Sequence, residues 1–196
     1  MLQTKVKISK VNNLTDARYF AAMGADFLGF CCNTGTEMYC SPQRIKEITE
    51  WVEGPQFVLE FDGWQHESDI KSLLTSTSGH AVHFGAFATY SGDFGVPVFK
   101  DFILENVEDA DLNGVTFPVV RSEKKYTQLS EKEINKLNTL TKSQNYFLDI
   151  GFEAEGLLEI LDKIPVYGII LRGGEEEKVG VKSFEELDKI FEFLQI

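Results

Sequence analysis

The feature that most constrains this chain is an alternation running from one end to the other. Short apolar runs of strand length are each followed by a connection, and most of those connections carry a helical hydrophobic period. Lys5–Ser9 reads as a strand and 14–23 as its helix. A second apolar run, 26–32 (DFLGFCC), leads to a helix opened by Ser41-Pro42, with serine as the cap and proline in the first turn. Further strands are expected at 57–61, Ala81–Phe84, 96–104, 115–120, 146–150 and 167–171. Helices are expected at 67–74, from Ser130 to about Thr141, at 153–164 and at 183–194. Ser130 with Glu133 has the spacing of a capping box, and Ser183 with Glu186 repeats it. The connections 87–95 and 105–114 are rich in Gly, Asp and Asn and poor in helix signal.

Alternation of this kind produces an α/β fold, a parallel sheet covered by helices. A doubly wound open sheet and a closed (βα)8 barrel both satisfy the pattern. The chain has 196 residues, and such barrels usually take roughly 200–250. A barrel therefore becomes feasible when the fourth and fifth helices shrink to loops. No linker rich in Ser, Gly or Pro divides the chain, so residues 1–196 are expected to form a single domain.

Charge narrows the function classes. Thirty-one acidic residues against 19 basic ones leave a net charge of −12. A nucleic-acid backbone or an anionic membrane surface calls for the opposite balance, so neither is expected as a partner. No stretch approaches the roughly 18 uninterrupted apolar residues of a membrane span, and residues 1–10 lack the apolar core of an export signal. Cys31, Cys32 and Cys40 are odd in number, which fits a reducing cytoplasm. They are crowded and have no second ligand cluster, so no metal is expected. No cofactor motif is present: Gly173-Gly174 followed by three glutamates is not a phosphate-binding Walker loop and reads as a solvated turn. The 16 phenylalanines read as core.

Both ends of the chain resemble the phosphoribosylanthranilate isomerase family. Lys7-Ile8-Ser9-Lys10-Val11-Asn12-Asn13-Leu14-Thr15-Asp16-Ala17 is similar to the family's K-I-C-G-(L/I)-T-x-x-x-D-A. Gly24-Ala25-Asp26 and Gly29-Phe30 follow as in G-A-D-x-x-G-F. Gly173-Gly174-Glu175 through Gly180-Val181-Lys182 resembles G-V-E-x-x-x-G-x-K after the eighth strand. The resemblance implies a compact TIM (βα)8 barrel with its site at the C-terminal ends of the strands, and a small-molecule ligand such as a sugar phosphate.

The departures carry as much information. Family members convert an N-(phosphoribosyl)anthranilate aminoaldose to the aminoketose in tryptophan biosynthesis, which needs an acid at the ring oxygen and a base at the adjacent carbon. The resemblance places Ser9 where the family has its basic cysteine, and Lys10 where it has glycine. A serine hydroxyl is no base at neutral pH without a partner. It places Arg121 where the acidic aspartate of the sixth strand belongs, and a guanidinium does not release a proton. Met38 stands where the carboxylate-holding arginine is expected, and His83-Phe84-Gly85-Ala86 replaces Q-L-H-G. Acid and base contribute about 10²–10⁴-fold each, so their joint loss would cost roughly four to eight orders of magnitude.

The phosphate-binding glycine loops map onto Asp149-Ile150-Gly151-Phe152 and Leu171-Arg172-Gly173-Gly174. Gly151, Gly173 and Gly174 would let the backbone approach an anion, Arg172 would attract it and Asp149 would repel it. Ser9, Arg121 and Asp149 are the catalytic candidates; the plain alternatives are a small polar filler for Ser9 and an ion pair across the mouth for Arg121 and Asp149. His83 reads as an acid/base or as a hydrogen-bonded residue of the barrel layer. Glu60 and Asp62 share one face of their strand by the period of two, inward or outward. Three functions follow: a barrel that binds a small phosphorylated or sugar-like metabolite without the usual acid/base pair, an isomerase running on Asp149, Glu60 or His83, or a non-catalytic barrel that docks another protein.

Overall fold

The structure, a computed structural model, describes residues 2–172, 176–178, 181–182 and 184–195. Eight strands, β1 (Lys5–Ser9), β2 (Phe27–Cys31), β3 (Gln56–Phe61), β4 (Ala81–Phe84), β5 (Val98–Ile103), β6 (Phe117–Lys125), β7 (Phe147–Gly151) and β8 (Gly168–Arg172), pair in sequence order and in parallel. The sheet closes through β1 and β8, where Lys5 lies opposite Gly168 and Ser9 opposite Arg172. The open-sheet alternative is thereby excluded. Two short strands, β9 (Glu176–Lys178) and β10 (Val181–Lys182), pair with each other in antiparallel fashion.

Helices α1 (Leu14–Ala22), α2 (Pro42–Thr49), α3 (Glu67–Thr77), α4 (Glu131–Thr141), α5 (Ala154–Lys163) and α6 (Glu185–Leu194) cover the wall. Between β4 and β5 there is no helix, and between β5 and β6 only a 3-10 helix, Leu104–Asp109. These are the fourth and fifth connections, the ones the chain's length required to shrink. Loops without helices leave carbonyls unbonded, and two lysines take them up. Lys100 Nζ donates to the carbonyl oxygens of Gly85, Ala86 and Ala88 at 2.6, 3.1 and 3.0 Å. Lys136 Nζ donates to those of Leu104 and Glu105 at 3.0 and 3.1 Å.

Capping follows local chemistry in three helices, the first being α1, where Asn13 Oδ1 accepts the Asp16 N–H at 2.8 Å. Ser41 Oγ accepts from the Arg44 N–H with Pro42 at the first helical position, and Ser130 with Glu133 closes a reciprocal capping box. The box expected at Ser183 and Glu186 falls partly outside the described residues, since Ser183 is not among them. Helix α6 is preceded by Phe184, and Glu186 Oε1 accepts the Ala154 N–H at 2.9 Å. Glu186 thus caps the neighbouring helix α5, which packs against α6.

The period of two sorts the barrel interior into layers. Phe27, Val58, Ala81, Phe99, Val119, Phe147 and Ile170 form an apolar plug at the N-terminal end and middle of the barrel. Val6, Ile8, Leu28, Phe30, Leu59, Phe61, Val82 and Phe84 point the other way, into the core between barrel and helices. One step above the plug, toward the C-terminal mouth, the inward positions become Ser9, Glu60, His83, Asp101, Arg121, Asp149 and Arg172.

Candidate active site at the barrel mouth

These polar positions, with Lys7 beneath them, make an alternating chain of charge around the barrel. Lys7 is fully buried; its ammonium donates to Ser9 Oγ at 2.8 Å and pairs with the Glu60 carboxylate. The second Glu60 oxygen accepts the Lys10 N–H at 3.0 Å. His83 sits between two carboxylates, with Nδ1 3.7 Å from Glu60 and Nε2 2.6 Å from Asp101. Asp101 Oδ2 lies 3.6 Å from Arg121, Arg121 Nε lies 3.9 Å from Asp149, and Arg172 Nη2 reaches both Asp149 oxygens at 3.1 and 2.8 Å.

Environment sets the protonation states. Burial alone would push the Glu60 carboxyl up, but Lys7 and His83 outweigh it and hold it well below the usual carboxylate range. Burial likewise opposes ionisation of Asp101, yet His83 and then Arg121 bring it below its ordinary value. For His83, burial and Lys7 disfavour the charged ring, while Asp101 and Glu60 prevail and raise its pKa. Asp149 behaves differently: burial dominates, Asp101 adds to it, and Arg172 with Arg121 only partly offset them, so its carboxyl titrates above normal. The ring therefore holds two firmly ionised carboxylates and an imidazole biased toward its cation. Its third carboxyl is the one most ready to take a proton.

The candidates from the sequence fall as follows. Ser9, Arg121, Asp149 and Arg172 all line the mouth, together with Glu60 and His83. Ser9 is buried and its oxygen already accepts a hydrogen bond from an ammonium, which makes it less basic. Arg121 and Asp149 are adjacent in register, but the tight partner of Asp149 is Arg172. Glu60 points inward; Asp62 lies past the strand end, exposed, with its carboxylate and N–H bonded to Asn33, so the two make no carboxylate pair. Met38 lies against Asn12. Gly151 pairs with Lys125 of the extended β6, and a Cβ there would lie 2.9 Å from Lys125 Cγ. Gly173 and Gly174 lie outside the described residues. Lys10 keeps the left-handed backbone (φ 60°) that glycine adopts freely, at some steric cost.

Two contributors escaped the sequence reading, Lys7 and Asp101. Their signal was period two: Lys7 shares a face with Ser9, and Asp101 with Phe99. Among the described residues no group of three or more His, Cys, Asp or Glu could hold a metal ion, and no helix is long and apolar enough to cross a membrane.

The free space between these side chains is small, about 30 Å³, room for little more than ordered water. A groove of about 420 Å³ opens beside it along Ile103, Glu105, Arg121, Ser122, Lys124 and Gln128, so Arg121 borders both. The larger cavity, about 470 Å³, is at the N-terminal end of the barrel around Leu2, Lys5, Asp26 and Tyr167. Its charges are already paired, Lys5 to Asp26 at 2.6 Å, and it is remote from the ring.

Comparison with known proteins places the fold. No protein-family model matches the chain. It is 25% identical over 209 aligned positions to N-(5'-phosphoribosyl)anthranilate isomerase of Sulfurihydrogenibium sp. (strain YO3AOP1), covering 97% of each chain. The phosphoribosyl anthranilate isomerase structure from Thermus thermophilus superposes with a TM-score of 0.77 at 24% identity, over 97% of this chain and 98% of the other. A phosphoribosyl anthranilate isomerase in complex with reduced 1-(o-carboxyphenylamino)-1-deoxyribulose 5-phosphate superposes with a TM-score of 0.76 at 18% identity, over 98% of both chains. The structural matches carry the fold, and the sequence match runs the length of the chain rather than only its two ends.

Proposed function

We propose, for a chain related over its full length to the phosphoribosylanthranilate isomerases, that the mouth binds a small phosphorylated or sugar-like metabolite without that family's acid/base pair. The observation that carries this reading is the pair of positions Ser9 and Arg121. One offers a hydroxyl already bonded to an ammonium 2.8 Å away, the other a guanidinium set among Asp101, Glu123 and Asp149. Neither group accepts or donates a proton at neutral pH. What they supply is positive charge and hydrogen bonding, the means of holding an anion. The reduced phosphate analogue bound by the structural relative is the natural probe. It should raise the melting temperature of the purified protein, since a ligand at 100 times its dissociation constant stabilises by about 2.7 kcal/mol. No shift with this analogue or any sugar phosphate, in a folded protein, would overturn the reading and favour a protein-docking barrel.

A second reading rests on Asp149. Its carboxyl titrates above normal because it is buried, and a raised carboxyl is what general acid catalysis at neutral pH requires. An isomerase of tryptophan biosynthesis could then run on Asp149 with Glu60 or His83. Rescue of an auxotroph lacking that step, abolished by Asp149→Ala, would establish it. Failure of the expressed wild-type chain to rescue would eliminate it.

A further inference from the structure

Asp149 is held in the mouth as a guest is held. Its carboxylate lies between two guanidiniums from the flanking strands, Arg172 on β8 and Arg121 on β6, with both oxygens within 3.1 Å of Arg172 Nη2. It is 8% exposed, whereas the side chain of Arg172 is 45% exposed, so the cation faces the solvent and the carboxylate sits behind it. The remaining space inside the ring is small, about 30 Å³, and the wider groove begins only at Arg121. An oxyanion that enters the ring, rather than resting on the solvent edge of Arg172, takes over the Nη2 hydrogen bonds that Asp149 now occupies.

We propose that Asp149 is an internal occupant of an oxyanion site formed by Arg172 and Arg121, and that a ligand's phosphate or carboxylate enters by displacing it. This rests on the metabolite-binding reading above and adds how the site is gated. The displaced carboxylate would remain in a buried pocket, beside Asp101 and facing the incoming anion, with His83, Arg121 and Arg172 as the charged groups on the other strands that face it. Two negative groups in that space are unfavourable, and the neutral form of Asp149 relieves them. Entry of the anion is then coupled to uptake of one proton from solvent: Asp149 gains it, no covalent bond changes, and the charge brought by the ligand is partly compensated.

The sign of the pH dependence follows. Where Asp149 is ionised in the free protein and protonated in the complex, each unit rise in pH weakens binding by up to about tenfold. Neither Glu60 nor Asp101 can play this part, since both are held as carboxylates by Lys7, His83 and Arg121.

The experiment uses sulfate, which does not titrate between pH 5 and 8, and the reduced phosphate analogue, with binding read by calorimetry on the full chain. In the wild type, sulfate affinity should fall as pH rises. The isosteric Asp149→Asn variant should bind sulfate about tenfold more tightly or better, since no charge-assisted partner has to be displaced, and should lose the pH dependence. Arg172→Gln should abolish sulfate binding in both backgrounds. If the wild type binds the analogue but sulfate affinity is flat with pH, or Asp149→Asn shows no gain, the displacement idea is wrong and the metabolite reading stands. If neither protein binds either anion, both are wrong. A flat wild-type pH series overturns the displacement idea without any variant, and a pH slope that persists in His83→Gln assigns it to Asp149 rather than to the imidazole.

Discussion

Lys7 on β1 and Glu60 on β3 join across the bare backbone of Gly29 on β2. A Cβ on Gly29 would lie 2.9 Å from Lys7 Nζ and collide with the Glu60 carboxylate. The strand between them must be without a side chain for the buried pair to close. Gly29→Ala should therefore destabilise by about 2–3 kcal/mol, the scale of overpacking in a filled core, read as a lower urea midpoint. An unchanged midpoint would show that the pair bends around a methyl group.

The same pair makes a second prediction. Glu60→Gln leaves the fully buried Lys7 ammonium without its counter-charge, which should cost about 3–5 kcal/mol. The double change Lys7→Met with Glu60→Leu removes both charges and should recover most of that loss. A double variant no better than Glu60→Gln would mean that Ser9 and the Lys10 N–H need the charges as much as the charges need each other.

Stability should be dome-shaped in pH. Glu60 and Asp101 titrate below their ordinary values, so their contribution is present above about pH 4 and lost as pH falls through their folded values. His83 titrates above its ordinary value, so its contribution is complete below about pH 6.5 and lost as pH rises through the folded value. Asp149, also raised, has the sign of His83: its contribution is complete below about pH 4 and lost as pH rises through its folded value. Chemical denaturation across pH 3–9 should show both limbs, and His83→Gln should remove only the decline above about pH 6.5. A wild-type curve still climbing from pH 6 to 8 would contradict the assignment.

Much of the fold could be read from the chain because strand runs, helix periods and caps such as Ser41 and Ser130 are local patterns. The mouth could not. Lys7 and Asp101 look in sequence like ordinary strand charges, and only the lateral pairing of β1 with β2 and of β2 with β3 brings Lys7 of the first strand to Glu60 of the third. Glu186 shows the same limit: nothing local in the sequence announces that its carboxylate accepts the N–H of Ala154, 32 residues away. Local chemistry named the groups, and register chose their partners.

Restoring both family groups tests how much of the chemistry they account for. In Ser9→Cys with Arg121→Asp, the thiol would sit beside the Lys7 ammonium, which favours thiolate. The new carboxyl would stand between Asp101 and Asp149, whose charges favour its protonated form. The double variant should gain isomerase turnover detectable above the wild type in a coupled assay. No gain would implicate Met38 and the altered glycine loops equally.

The two connections that lack full helices, and the lysines that gather their carbonyls, give the cylinder a seam. Elsewhere each strand is backed by several turns of helix, but the outer side of β4 and β5 depends on Lys100, Lys136 and a few aromatic rings. Local opening begins where the cover is thinnest. Amide deuteration should accordingly start along this sector and spread from it, leaving β1, β2 and β8 until the whole wall comes apart.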